Sequence, residues 1–249
     1  MTTRIRMTVG SIALLAGACS IAAAAAPALP AESYKKAAEA DIALLKKHIE
    51  TCDTEPTQAK RFAPTAKAVA LMIALYGEAT GDEALRDGAV KAAEAIAKKD
   101  FKGAAAAAKD LAPKGTGKPL AAGKLHEKAK FGLEEAMSPF RGSKVGGMNI
   151  EKDIRDAMKS GTADPAALQV LAVRTAALGE FTAAFPNDKA KTNKGNEAKW
   201  DKWSKDMIDL SKKIDAEAAK GKSADAKEIV KTLKLLDAKC SDCHNEFRD

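Results

Sequence analysis

The sequence predicts an all-α protein, for two reasons. Alanine and lysine recur throughout a chain that is 46% hydrophobic but only 4% aromatic, and Ala, Leu, Lys and Glu lose little side-chain entropy in a helix. In addition, no segment shows the strict alternation of β-branched and polar residues that a sheet requires. With 249 residues the chain suffices for one large domain or two small ones.

The N-terminus has the layout of a secretory signal peptide. Two arginines precede a short apolar run from Val9 to Cys19, and an alanine-rich stretch follows. We predict that residues 1–28 are the signal, cleaved after Ala28, with Ala31 as the second choice. Lipid attachment at Cys19 is a weaker alternative, because its spacing from Leu15 fits that motif poorly. Export predicts a periplasmic protein.

Composition and charge exclude some partners. No later segment is long and apolar enough to suggest a membrane span. The net charge is +7, with lysines interleaved among acidic residues along the predicted helices. A nucleic-acid-binding protein concentrates basic residues on one face with aromatics among them, so no nucleic acid is expected. A mildly basic surface would suit docking to an acidic redox partner.

For the first half, residues 32–112, the sequence predicts a helical bundle without a cofactor motif. We expect a break bracketed by Pro56 and Pro64, and an N-cap at Asp82. The first predicted helix is Tyr34–Cys52, with Ile42, Leu45 and Ile49 on one face. The others are one through Val69 and Tyr76, one from Asp82 through Ile96, and Phe101–Leu111. Residues 113–123 hold two prolines and three glycines, which predicts a linker.

The second half, residues 124–249, predicts a further bundle. Asp164 and Pro165 form an N-cap followed by proline at the first helical position, and Ser223 is the expected cap of the last helix. The predicted helices are Lys124–Met137, a short one through Ile150 and Met158, Pro165–Phe185, one from Trp200 to near Gly221, and one from Ser223 to the C-terminus. Short connections favour antiparallel packing.

The last predicted helix contains the motif Cys240-Ser241-Asp242-Cys243-His244. A C-x-x-C-H sequence indicates c-type haem attachment. Residues three and four apart share a helix face, so Cys240 and Cys243 can reach the two vinyl groups of one haem. His244 lies on the same face and can bind the iron. The motif therefore predicts one covalently bound haem c.

Competing interpretations of the cysteines and histidines are weaker. A thioredoxin-like dithiol would lie where a strand meets a helix. A zinc site would need further ligands, and no second Cys or His pair exists. Cys52 has no plausible disulfide partner. His48 lies at helical spacing from Cys52, and we expect a surface or packing role for it; His126 is expected to be solvated.

Residues from about Lys124 to Asp249 resemble the cytochrome c′ and cytochrome c-556 family. The resemblance rests on the haem motif with the Asn-Glu-Phe-Arg sequence that follows it, on Trp200 and on Phe185. It implies an antiparallel four-helix bundle with covalent haem, His244 as proximal ligand and Arg248 near the haem. Members often form homodimers. The first half departs from the family's single-bundle length.

The resemblance leaves the sixth iron ligand open. In this family the residue facing the distal side comes from the first helix of the bundle, and Met137 falls near that position; Met148 is a weaker candidate. A methionine ligand gives a one-electron carrier, whereas an apolar residue leaves an iron that binds nitric oxide or carbon monoxide. A third hypothesis is a docking role for the first half. No catalytic constellation suggests an enzyme.

Overall fold

The computed structural model describes residues 27–115, 118–160 and 164–247, and these residues are helical without a β-strand. The all-α prediction is therefore confirmed. None of the described helices is long and apolar enough to cross a membrane. The described α-helices are α1 Ala31–Thr54, α2 Pro56–Thr80, α3 Glu83–Ala97, α4 Phe101–Ala108, α5 Leu133–Met137, α6 Ile150–Ser160, α7 Pro165–Ala183, α8 Lys194–Ala218 and α9 Ala226–Phe247. The predicted signal segment up to residue 26, including Cys19, lies outside the described residues.

Helices α1 to α4 follow the predicted pattern. The face of α1 that carries Ile42, Leu45 and Ile49 is buried, and α1 packs against α2 and α4. The side chain of Asp82 accepts a hydrogen bond from the Leu85 backbone N–H at 3.0 Å, so it caps α3 as expected.

The expected break between Pro56 and Pro64 is wrong, because Pro64 lies inside α2. Proline lacks a backbone N–H and therefore leaves the carbonyl four residues earlier without its helical partner. That carbonyl belongs to Lys60, an exposed residue, so water can replace the lost donor. The downstream part of α2 is buried from Thr65 to Ala74, and this burial favours continuation of the helix.

The helix predicted through Phe131 and Leu133 to Met137 is formed only in its last five residues. The structure has one 3-10 turn at Leu125–Glu127 and then the five-residue helix α5. Ala129 and Lys130 have φ values of 55° and 49°, which interrupt a right-handed helix. Phe131 is nevertheless buried, with its ring 5.1 Å from that of Phe181.

Helices α6 to α9 form the rest of the second half. Packing connects α7 with α8, α8 with α9, and α6 with both α7 and α9. The cap of α9 is Asp225 rather than the expected Ser223, since Asp225 Oδ1 accepts from the backbone N–H groups of Lys227 and Glu228. Asp164 caps α7 as predicted.

A buried ion pair joins the two halves. Arg174 on α7 donates from Nε and Nη2 to Asp41 Oδ1 on α1, at 2.9 and 2.6 Å. Tyr76 on α2 donates its hydroxyl to Asp41 Oδ2 at 3.0 Å. Asp41 is fully buried, so its charge depends on these two partners for compensation.

A second ion pair fastens α5 to the first half. Lys67 Nζ on α2 lies 2.7 Å from Glu135 Oε1, and the two side chains are 10% and 21% exposed. Glu135 Oε2 in turn accepts from the Gly132 backbone N–H at 3.0 Å. Buried residues of both halves also belong to one contiguous hydrophobic cluster. The division at residues 113–123 stays a prediction; within that segment Leu120 and Gly123 donate backbone hydrogen bonds to Glu78.

His48 is buried rather than at the surface. Its ring is 4% exposed and packs edge-on against Phe62 at 5.1 Å between centroids. Neither ring nitrogen has a hydrogen-bond partner among the described residues. Burial and the charge of Lys47 lower the pKa of His48 from 6.5 to about 4. The imidazole is therefore neutral in the folded protein at pH 7.

Replacing Asp41 by Asn should lower the free energy of unfolding by about 3–5 kcal/mol, because it removes the carboxylate that pairs directly with the buried Arg174 guanidinium. Urea unfolding at pH 7 measures the change. The exposed pair Lys152–Asp156 provides the control, and Asp156→Ala should cost about 0.5 kcal/mol or less. A loss below about 1 kcal/mol for Asp41→Asn would contradict the assigned role of the pair.

Stability should fall as the pH falls from about 6.5 to about 4, because the unfolded chain binds a proton at His48 there and the folded protein does not. His48→Leu should remove about 3 kcal/mol of this pH-dependent loss. Urea unfolding of both proteins at pH 7 and pH 4 measures it. An unchanged difference between the two pH values would show that His48 is not responsible.

Candidate haem site

The C-terminal end of α9 is held in place by aromatic packing. The Phe247 ring lies 5.3 Å from the Trp200 ring and 5.1 Å from the Trp203 ring, edge-on to both. Asn187 Nδ2 donates to the Phe247 carbonyl oxygen at 2.7 Å, and Trp200 Nε1 donates to the Thr182 carbonyl at 2.9 Å. These contacts fix the last turns of the helix, where the cysteine motif lies.

Cys240, Cys243 and His244 line one cleft, of about 550 Å³. That volume lies within the usual range of ligand pockets. The walls come from α5 to α9, from the segment after α5 and from the loop after α7. The lining is largely apolar and aromatic, from Leu133, Met137, Phe140, Ile154, Trp200, Trp203, Met207 and Phe247. The helical spacing predicted that both cysteines lie on one face of the helix, and this face is directed into a cavity.

Both motif cysteines are half-buried free thiols. Burial, with a contribution from the Asp237 charge, raises the pKa of Cys240 to about 12. Burial raises the pKa of Cys243 to about 11. Redox-active dithiols instead have a lowered pKa that favours the thiolate. The structure therefore gives the pair none of the activation that a thioredoxin-like function requires.

The His244 side chain is exposed and lines the same cleft. Within the described residues it makes no hydrogen bond and no ion pair, so both of its ring nitrogens are open to a ligand-binding role. No group of three or more His, Cys, Asp or Glu side chains in the described part of the chain is placed to hold a metal ion.

Met137 ends α5 and its half-buried side chain lines the cleft. The structure thus brings the candidate sixth ligand to the cavity that contains the motif, although from a much shorter helix than predicted. Met148 is buried in the main core and does not belong to the cleft lining. Arg248, expected near the haem, lies outside the described residues.

Sequence analysis missed several residues of the cleft. Met207 contributes a second thioether, and its four-residue spacing from Trp203 places both on one face of α8. The exposed Arg141 and the half-buried Lys239 add two cations to the lining. Lys239 lies 3.5 Å from Asp242, whereas Arg141 has no salt bridge among the described residues.

Ser204 is the remaining unusual feature of the cleft. It lines the cavity, is 3% exposed, and its Oγ has no hydrogen-bond partner in the described structure. A buried hydroxyl without a partner costs free energy. A molecule with polar atoms in the cleft could satisfy it.

The chemistry of the lining fits a haem. The cleft combines two thiols and an imidazole on α9, the thioethers of Met137 on α5 and Met207 on α8, aromatic side chains, and Arg141, which forms no salt bridge in the described structure. A covalently bound haem requires two cysteines for its thioether bonds, an axial nitrogen for its iron, an apolar surface for the macrocycle and a counter-charge for its carboxylates.

Comparison with known proteins identifies no relative: no family model, no curated protein and no solved structure matches the chain.

Proposed function

We propose that this chain is an exported monohaem c-type cytochrome that transfers single electrons and is not an enzyme. One observation carries the proposal: Cys240, Cys243 and His244 line one largely apolar cleft with Met137. The bound haem supplies reversible one-electron exchange at its iron. We further propose that residues 124–249 form a cytochrome c′-like four-helix bundle preceded by a haem-free helical bundle, and that the protein works in the periplasm.

The protein's own residues would hold the cofactor. Each thiol of Cys240 and Cys243 would add across one vinyl double bond, forming a carbon–sulfur bond and placing the thiol proton on the neighbouring carbon. His244 would be the proximal ligand. Arg141 would pair with the haem carboxylates, since an arginine presents several donors to a carboxylate.

Met137 decides between electron transfer and gas binding. A Met–His ligand pair is typical of electron-carrying cytochromes c and raises the reduction potential. If Met137 does not bind the iron, the open position would accept nitric oxide or carbon monoxide. The unpartnered Ser204 hydroxyl in the cleft favours this alternative, since a bound gas could accept its hydrogen bond.

Covalent attachment is the first test. Co-expression with a c-type haem maturation system should yield protein whose haem stays bound after denaturation, measured by intact mass and by haem staining of a denaturing gel. The double variant Cys240→Ala/Cys243→Ala should lose all covalent haem, because neither thioether can form. Cys52→Ala, which changes the buried cysteine of the first half, should retain it. Wild-type protein without covalent haem would refute the proposed function.

The sixth ligand is tested by visible spectra of the ferric and ferrous protein, with and without carbon monoxide. We expect wild-type protein to be low-spin and unchanged by carbon monoxide. Met137→Ala should become high-spin and bind it, because the thioether is lost. Met148→Leu, outside the cleft, serves as the control and should match the wild type. Carbon monoxide binding by the wild type would instead support a gas-binding function.

A further inference from the structure

A second recess lies beside the haem cleft. It is an open groove of about 620 Å³ between the end of α6 and the first half of α9. It is lined by Met158, Lys159, Ala226, Lys227, Val230, Lys231, Lys234 and Leu235. The lining combines an apolar floor with four lysines and contains no acidic residue.

The lysines of this groove are available to a partner. All four are exposed. Lys231 forms a surface ion pair with Glu228 at 3.1 Å, which contributes little stability. Lys159, Lys227 and Lys234 form no salt bridge within the described residues. The groove therefore presents at least three exposed positive charges that form no salt bridge within the described residues.

The groove also exposes apolar surface. The Leu235 side chain is 45% exposed, and Val145 is the other exposed large hydrophobic residue in the described structure. Met158 and Val230 are half-buried beside it. An apolar centre with a charged rim is the usual organisation of a protein–protein interface.

The groove and the haem cleft share the same two helices. Ile154 lines the cleft and Met158 lines the groove, one turn further along α6, which is about 6 Å. On α9, Leu235 in the groove precedes Cys240 in the cleft by five residues, or about 7.5 Å along the axis. A protein seated in the groove would therefore lie next to the cofactor.

We propose that this groove is the docking surface for an electron-transfer partner protein with an acidic contact surface around an apolar residue. The inference rests on the proposed function. The lysines would steer the partner by long-range attraction, and Leu235 would bury apolar area once contact forms. A membrane-binding surface presents a continuous apolar helix face, whereas here the exposed apolar residue lies in a concave recess.

The test uses the full chain and an acidic probe, the soluble domain of cytochrome b5. Binding is followed by amide chemical shifts and by calorimetry at about 10 mM ionic strength, where screening is weak. Shifts should map to residues 158–159 and 226–235. Lys227→Glu/Lys231→Glu/Lys234→Glu should weaken binding about ten-fold or more, and Leu235→Gln about three-fold.

A matched triple variant controls for net charge. Lys91, Lys98 and Lys102 are exposed on the first half, and changing all three to Glu alters the charge equally. This variant should stay within about three-fold of the wild type. Equal weakening by both triple variants, shifts outside the groove, or binding only to vesicles of phosphatidylserine would each overturn the proposal. Binding is measured without electron transfer, so the groove can be tested even in protein that lacks haem. Absence of covalent haem would refute the proposed function, which is a separate result.

Discussion

The arrangement of the molecule depends on one buried ion pair, between Asp41 of α1 and Arg174 of α7. Each charge relies mainly on the other for compensation, since Asp41 is fully buried and the Arg174 side chain is only 14% exposed; Asp153 is a further negative charge near Arg174. The pair fixes the first half against the second, and Tyr76 joins α2 to the same carboxylate. Helix α2 in turn holds α5 through Lys67 and Glu135. A wall of the proposed haem cleft is thus positioned by helices that contribute nothing to its lining.

The cleft differs electrostatically from the outer surface. Inside it, burial raises the pKa of both Cys240 and Cys243, and apolar and aromatic side chains form much of the walls. Arg141, Lys239, Glu151 and Asp237 also line the cleft, so a cofactor bound there would lie close to charges of both signs that would shift its reduction potential. Outside, lysines dominate the exposed side of α9. The same helix would attach the cofactor on its inner face and meet a partner on its outer one.

The sequence was sufficient for features that depend on local chemistry. Helical spacing placed Ile42, Leu45 and Ile49 in the core, Asp82 at a helix start, and the cysteine motif on one face. Sequence analysis failed for features that depend on packing between residues far apart in the sequence. The break expected at Pro64 does not occur, because burial of the later part of α2 outweighs one lost hydrogen bond. The ion pair between Asp41 and Arg174 spans 133 residues, and no local pattern could reveal it. Met207 and Arg141 likewise join the cleft only through the tertiary fold.

The short helix α5 depends on the first half of the chain for part of its support. Isolated helices below about 12 residues are marginal in water, and α5 has five residues. Its conformation must therefore be imposed from outside, by the Lys67–Glu135 pair and by the packing of Phe131 against Phe181. In a single bundle with a long first helix, that helix would position the residue on the distal side of the haem without such support. Here the first half supplies part of that support through Lys67 and α7 supplies the rest through Phe181, so the position of Met137 depends on residues far from it in the sequence.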